Sequence, residues 1–103
     1  MLTRIVQLEF ELDKIDAFLS YFDRINQMVN TFPGCSGVKL YQDIHLPTKI
    51  ITYSHWVDEV ALNNYRNSDA FNEIWSTIKP WFCEKPQAWS LNAYFDGFNE
   101  QLA

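Results

Sequence analysis

The most chemically useful pattern in the chain surrounds His55. An imidazole has an ordinary pKa of about 6.5 and can accept a proton near neutrality, and here it sits in Tyr53-Ser54-His55-Trp56. The chain also holds 4 Trp, 5 Tyr and 8 Phe, 17% of its residues. That is more aromatic surface than a small domain can cover, because domains of this size bury only about 60–70% of their unfolded surface. Some of it therefore lines a pocket or an interface. Trp56, Tyr65, Trp75, Trp81 and Trp89 are available as pocket walls, with Tyr53, His55, Asn64, Arg66 and Asn92 as directed polar contacts.

Each of these residues also has a plain packing explanation. Strand alternation sends His55 and Trp56 to opposite faces, so only one of them can meet a pocket. On packing alone, Trp56 is a core anchor, His55 a hydrogen-bonded or partly exposed strand residue, and Trp75 part of an apolar helical stripe. Arg66 reads as a solvated helix charge and Tyr65 as either packing or a pocket group. His45, near Pro47, reads as surface. No metal centre is expected, since His45 and His55 are isolated from Cys35 and Cys83 and from carboxylates at ligand spacing. The two cysteines lack CxxC spacing and are expected as reduced thiols.

The elements that must position these residues follow from hydrophobic period. Residues 3–12 alternate, with Val6, Leu8, Phe10 and Leu12 on one side, which predicts a strand. From Asp13, a candidate N-cap, Ile15, Phe18, Leu19, Phe22, Ile25, Met28, Val29 and Phe32 step by three and four and predict a helix ended by Pro33-Gly34. Two β-branched and aromatic runs, 38–43 and 50–56, predict a hairpin. Asp58 can cap a short helix, and Ser68 or Asp69 a second one carrying Phe71, Ile74, Trp75, Ile78 and Phe82, with Pro80 near its end. Trp89, Leu91, Ala93 and Phe95 alternate as a fourth strand. This order predicts an α+β fold of ferredoxin-like βαββαβ type, a four-stranded antiparallel sheet with helices on one face. Whichever face lies outward keeps a share of Ile5, Ile50, Ile51, Tyr53, Val38, Tyr41 and Tyr94. A homodimer that stacks a second sheet on that face is therefore expected.

The 103 residues allow one domain, expected over 1–96 with a short tail at 97–103. Net charge is -5, with no cluster of Lys or Arg, so neither nucleic acid nor anionic membrane is expected as a partner. The N-terminus lacks signal-peptide features and no apolar run approaches about 18 residues, so a cytoplasmic location is expected.

Three segments carry a resemblance. Phe32-Pro33-Gly34-Cys35-Ser36-Gly37, Tyr53-Ser54-His55-Trp56 and Ala61-Leu62-Asn63-Asn64-Tyr65-Arg66-Asn67-Ser68-Asp69-Ala70-Phe71 resemble the helix-to-strand corner, third strand and following helical segment of the antibiotic biosynthesis monooxygenase family. That family comprises dimeric α+β barrels and includes quinol monooxygenases and haem-degrading relatives. The resemblance implies a pocket between sheet and helices and no requirement for flavin, haem or metal. A deprotonated dihydroxy-aromatic is itself electron-rich enough to reduce O2, leaving the protein to hold it, help remove a proton and exclude water. On this resemblance the chain is expected to be a cofactor-independent monooxygenase of a small quinol-like or polyphenolic aromatic. His55 and Tyr65 are then catalytic, and Trp56, Tyr53, Trp75, Trp89, Asn64 and Arg66 bind substrate. A non-catalytic ligand-binding or dimeric accessory barrel protein is the alternative, and an isomerase or other barrel enzyme working without O2 a third. Haem degradation is not expected. Where the haem-degrading branch carries an Asn, a Trp and an iron-ligating His, this chain has Leu8, Tyr65 and Trp75, and a Trp cannot ligate iron.

Overall fold

The computed structural model describes residues 1–98. In chain order the elements are β1 (Leu2–Glu9), α1 (Ile15–Asn30), β2 (Cys35–Gln42), β3 (Lys49–Trp56), α2 (Glu59–Arg66), α3 (Asp69–Ile78), a 3-10 turn (Lys79–Trp81) and β4 (Gln87–Leu91). The strands form one sheet in the order β2-β3-β1-β4, with every neighbouring pair antiparallel. This is the ferredoxin-like α+β arrangement. No described helix is long and apolar enough to cross a membrane.

Register decides which residues share a face. Arg4, Val6 and Leu8 of β1 lie opposite Ser54, Thr52 and Ile50 of β3, Val38 of β2 opposite Ser54, and Ala88 and Ser90 of β4 opposite Val6 and Arg4. Because successive side chains alternate, these form the face under the helices. Ile5, Ile51, Tyr53, His55, Tyr41, Trp89 and Leu91 form the other, which no described element covers. On it Tyr41 is 50% exposed, Trp89 41% and Leu91 47%.

Two groups of buried residues hold the helices down. Leu8, Phe10, Ile15, Phe18, Val29, Ile50, Ile74 and Ile78 form the larger one, beneath α1 and α3. Trp56, Ala61 and Leu62 form the smaller, between β3 and α2, and Tyr65 packs against both. Asp58 caps α2 by accepting from the Ala61 N–H at 2.8 Å, and Ser68, rather than Asp69, caps α3 by accepting from the Phe71 N–H at 3.1 Å. Pro80 falls in the 3-10 turn just after α3, where its missing N–H breaks no helical bond.

Gly34 sits at the corner between α1 and β2 with φ +87°, and a Cβ there would run into the Cβ of Ala61. Only glycine combines that backbone conformation with so close an approach. The corner thereby lets α2 approach the start of β2 closely at Ala61.

Several boundaries differ from the sequence expectation: β2 begins at Cys35 rather than at residue 38, and Phe82, expected on the second short helix, lies in extended backbone beyond α3 and the 3-10 turn. The first strand stops at Glu9, not at residue 12, because Phe10 leaves the β3 ladder and bridges to Phe82. Its continuation, Leu12, is 83% exposed. Asp13 does not cap α1: a turn in which the Lys14 N–H donates to the Glu11 carbonyl at 2.9 Å makes Lys14 the N-cap. The fourth strand spans Gln87–Leu91 rather than 89–95. Leu91 pairs with Thr3, so the alternation beyond it has almost no β1 left to bond to. Tyr94, Phe95 and Phe98 are exposed there, and residues 99–103 of the expected tail lie outside the described residues.

Candidate functional site

Between sheet and helices lies a half-open cavity of about 340 Å³, within the range of small-molecule sites. Val6, Leu8 and Trp56 form part of its floor, Phe18 and Val29 of α1 one wall, and Tyr65, Phe71 and Trp75 another. It lies between the two buried groups and borrows from both.

The aromatic wall is continuous. Trp56 and Tyr65 stack with ring centres 5.1 Å apart, Tyr65 meets Phe71 edge-on at 5.1 Å, and Phe71 stacks on Trp75 at 5.6 Å and 12°. Such pairs hold ring orientation as well as burying area. The Trp56 indole N–H donates to Ser54 Oγ at 2.9 Å, which leaves the buried donor satisfied and the ring locked.

Polar groups are few. Thr52, Ser54, Tyr65, Gln87, Arg4 and Arg66 reach the cavity, with no His, Asp, Glu or Lys among the lining residues. Burial first, then nearby Cys35 and Tyr21, pushes the Tyr65 phenol up to about 12. Tyr65 is therefore a neutral hydrogen-bond donor at ordinary pH, and not a base. Arg4 donates to Ser90 Oγ at 2.9 Å. Its pKa is lowered by partial burial and, secondarily, by the positive charge of Arg66. Cys35 and Cys83 are both free thiols.

The family profile for antibiotic biosynthesis monooxygenase matches residues 1–75. The chain belongs to the antibiotic biosynthesis monooxygenase family. Among solved structures, one antibiotic biosynthesis monooxygenase superposes with a TM-score of 0.84 at 20% identity, covering 90% of this chain and 98% of the other. A Nitrosomonas europaea protein assigned to the same group gives a TM-score of 0.84 at 17% identity, covering 92% and 100%. A Mycobacterium tuberculosis protein gives 0.83 at 13% identity, covering 94% and 98%. At such identities the likeness carries the fold alone. No curated protein matches the chain.

Within this antibiotic biosynthesis monooxygenase domain, the candidate residues divide by face. Trp56, Tyr65, Arg66 and Trp75 come together around the cavity. His55, Tyr53 and Trp89 stand on the opposite side of the sheet, where His55 Nε2 and Tyr53 Oη lie 2.7 Å apart and Tyr41 meets Tyr53 edge-on at 6.5 Å. Of His55 and Trp56, it is Trp56 that meets the cavity; it is also 1% exposed, so core anchor and pocket wall are one residue. Asn64 and Asn92 are exposed and outside the lining, and Trp81 packs edge-on against Tyr21 at 6.3 Å.

Sequence reasoning missed Arg4, Ser54 and Phe71. For Arg4 the signal was present: it is in phase with Val6, Leu8 and Phe10, and a charge on the buried side of a strand calls for explanation. Ser54 is likewise in phase with Trp56. Phe71 looked like ordinary helix packing, and only the cavity distinguishes it.

Proposed function

We propose that this family member is a cofactor-independent monooxygenase that oxidises a small quinol-like aromatic with O2. The observation that carries the reading is the continuous aromatic wall, Trp56, Tyr65, Phe71 and Trp75, along a cavity sized for a small ring system. Trp56 and Trp75 sandwich or edge the ring, Arg66 and the Tyr65 hydroxyl meet its oxygens, and the apolar walls keep water from reactive intermediates.

For a hydroquinone the stoichiometry closes without a further reductant. The substrate gives four electrons to O2, one oxygen atom enters the ring to yield a hydroxyquinone, and the other leaves as water. The first proton has no carboxylate or imidazole to go to among the lining residues. Proton loss to solvent, favoured by donors that stabilise the phenolate, is the consistent route. His55, on the uncovered face, serves the proposed homodimer interface together with Tyr53, Tyr41 and Trp89. A second sheet is the natural cover for that apolar surface.

The lack of a base in the cavity favours one second reading, a barrel that binds an aromatic without turning it over. Oxygen-electrode assays with a panel of quinols, run beside calorimetric titrations of the same compounds, separate the two. O2 uptake above the spontaneous rate supports the enzyme. Binding without uptake leaves the ligand-binding protein.

A further inference from the structure

Charge is distributed unevenly between this molecule and its cavity. The chain has 13 acidic and 8 basic residues and a net charge of -5, yet the two charged residues lining the cavity are both arginines, and none is acidic. Arg4 stands on the helix-facing side of β1, flanked by Ser54 of β3 and Ser90 of β4. Of the five N–H donors on its guanidinium, one is used on Ser90 Oγ. Arg66 approaches from the last residue of α2. A half-buried guanidinium is unfavourable, and a second cation beside it makes it more so. No lining carboxylate offsets either cost.

We infer that the ligand of this cavity is an aromatic acid whose ionised carboxylate is held by Arg4 with Arg66, while its ring lies against Trp56, Phe71 and Trp75. A planar guanidinium presents paired donors that match a carboxylate's two oxygens. An anion supplied by the ligand would relieve the repulsion that the protein leaves standing. The mostly apolar remainder of the cavity, where Thr52, Ser54, Tyr65 and Gln87 are the other polar groups, suits an aromatic ring with few polar substituents. This rests on reading the cavity as the ligand site, and it narrows the substrate from quinols in general to quinol-like acids.

Isothermal titration of the whole chain with 2-naphthoate, 2-naphthamide and 2-naphthyl phosphate tests it. The acid should bind about tenfold or more tightly than the amide at low salt, with the advantage shrinking as KCl is raised. Arg4→Gln and Arg66→Gln should each reduce affinity for the acid several-fold more than affinity for the amide, shrinking that advantage. Arg66 is exposed at a helix end, so its variant tests the idea even if Arg4→Gln folds poorly. Equal affinity for acid and amide, a preference that survives both substitutions, or a still stronger preference for the phosphate would overturn the inference. O2 uptake with neutral quinols would then still stand. If none of the three probes binds and no quinol is consumed, the cavity reading fails as well.

Discussion

Trp56 and Tyr65 stack with ring centres 5.1 Å apart and planes 29° from parallel, tying the end of β3 to α2 along the cavity wall. Trp56 does two jobs in this pair, and Tyr65 can be separated into ring and hydroxyl. Tyr65→Phe keeps the stack, so urea denaturation should show a loss below about 1 kcal/mol. Ligand affinity or quinol turnover should nevertheless fall roughly tenfold, the scale of one lost hydrogen bond. Trp56→Ala should cost about 3–5 kcal/mol. A Tyr65→Phe variant with full turnover would remove the hydroxyl from the proposed chemistry.

Alkaline stability offers a second check. The Tyr65 phenol is pushed up from 10.0 to about 12, chiefly by burial. As pH rises through 10, the unfolded chain loses this proton while the folded chain keeps it. The associated stability is therefore fully present below pH 10 and is lost between pH 10 and 12. Its size is of the order of 2–3 kcal/mol. In Tyr65→Phe the fall in stability across that window should be correspondingly shallower. Parallel curves for the two proteins would contradict the assigned burial.

The corner at Gly34 predicts a specific coupling. Gly34→Ala must adopt a positive φ and meet the Ala61 side chain, so it should destabilise by about 2 kcal/mol or more. Adding Ala61→Gly removes the clash but not the backbone strain. The double variant should recover part of the loss, giving a nonzero interaction energy in a double-mutant cycle. Strict additivity would mean that the two residues do not meet.

The uncovered sheet face yields a prediction about assembly. Trp89→Lys puts a charge beside Ile5, with which Trp89 is paired across the sheet. Sedimentation equilibrium should report a dimer for the unaltered chain and a monomer for the variant, with affinity for aromatic ligands less affected than association. A monomeric unaltered chain would sink the interface assigned to His55, Tyr53, Tyr41 and Trp89.

Much of this protein was already legible in residue order. The period-two run through Val6 and Leu8 and the helical stripe from Ile15 to Val29 specify their elements, as do the Asp58 cap and the glycine after Pro33. Each of these signals acts within a few residues, through pleat geometry, helical spacing or an orphan N–H. The alternation of His55 with Trp56 likewise showed that only one could reach a pocket. Other outcomes depended on partners far away in sequence. The first strand ends where Phe10 finds Phe82, and the fourth ends where Leu91 reaches Thr3 and β1 runs out. Propensity in residues 92–95 could not reveal that. Above all, tertiary structure chose the covered face of the sheet. That choice set Arg4 and Trp56 inside beside Tyr65 and Trp75 and left His55 and Trp89 outside, because burial belongs to the packed layers and not to any residue alone.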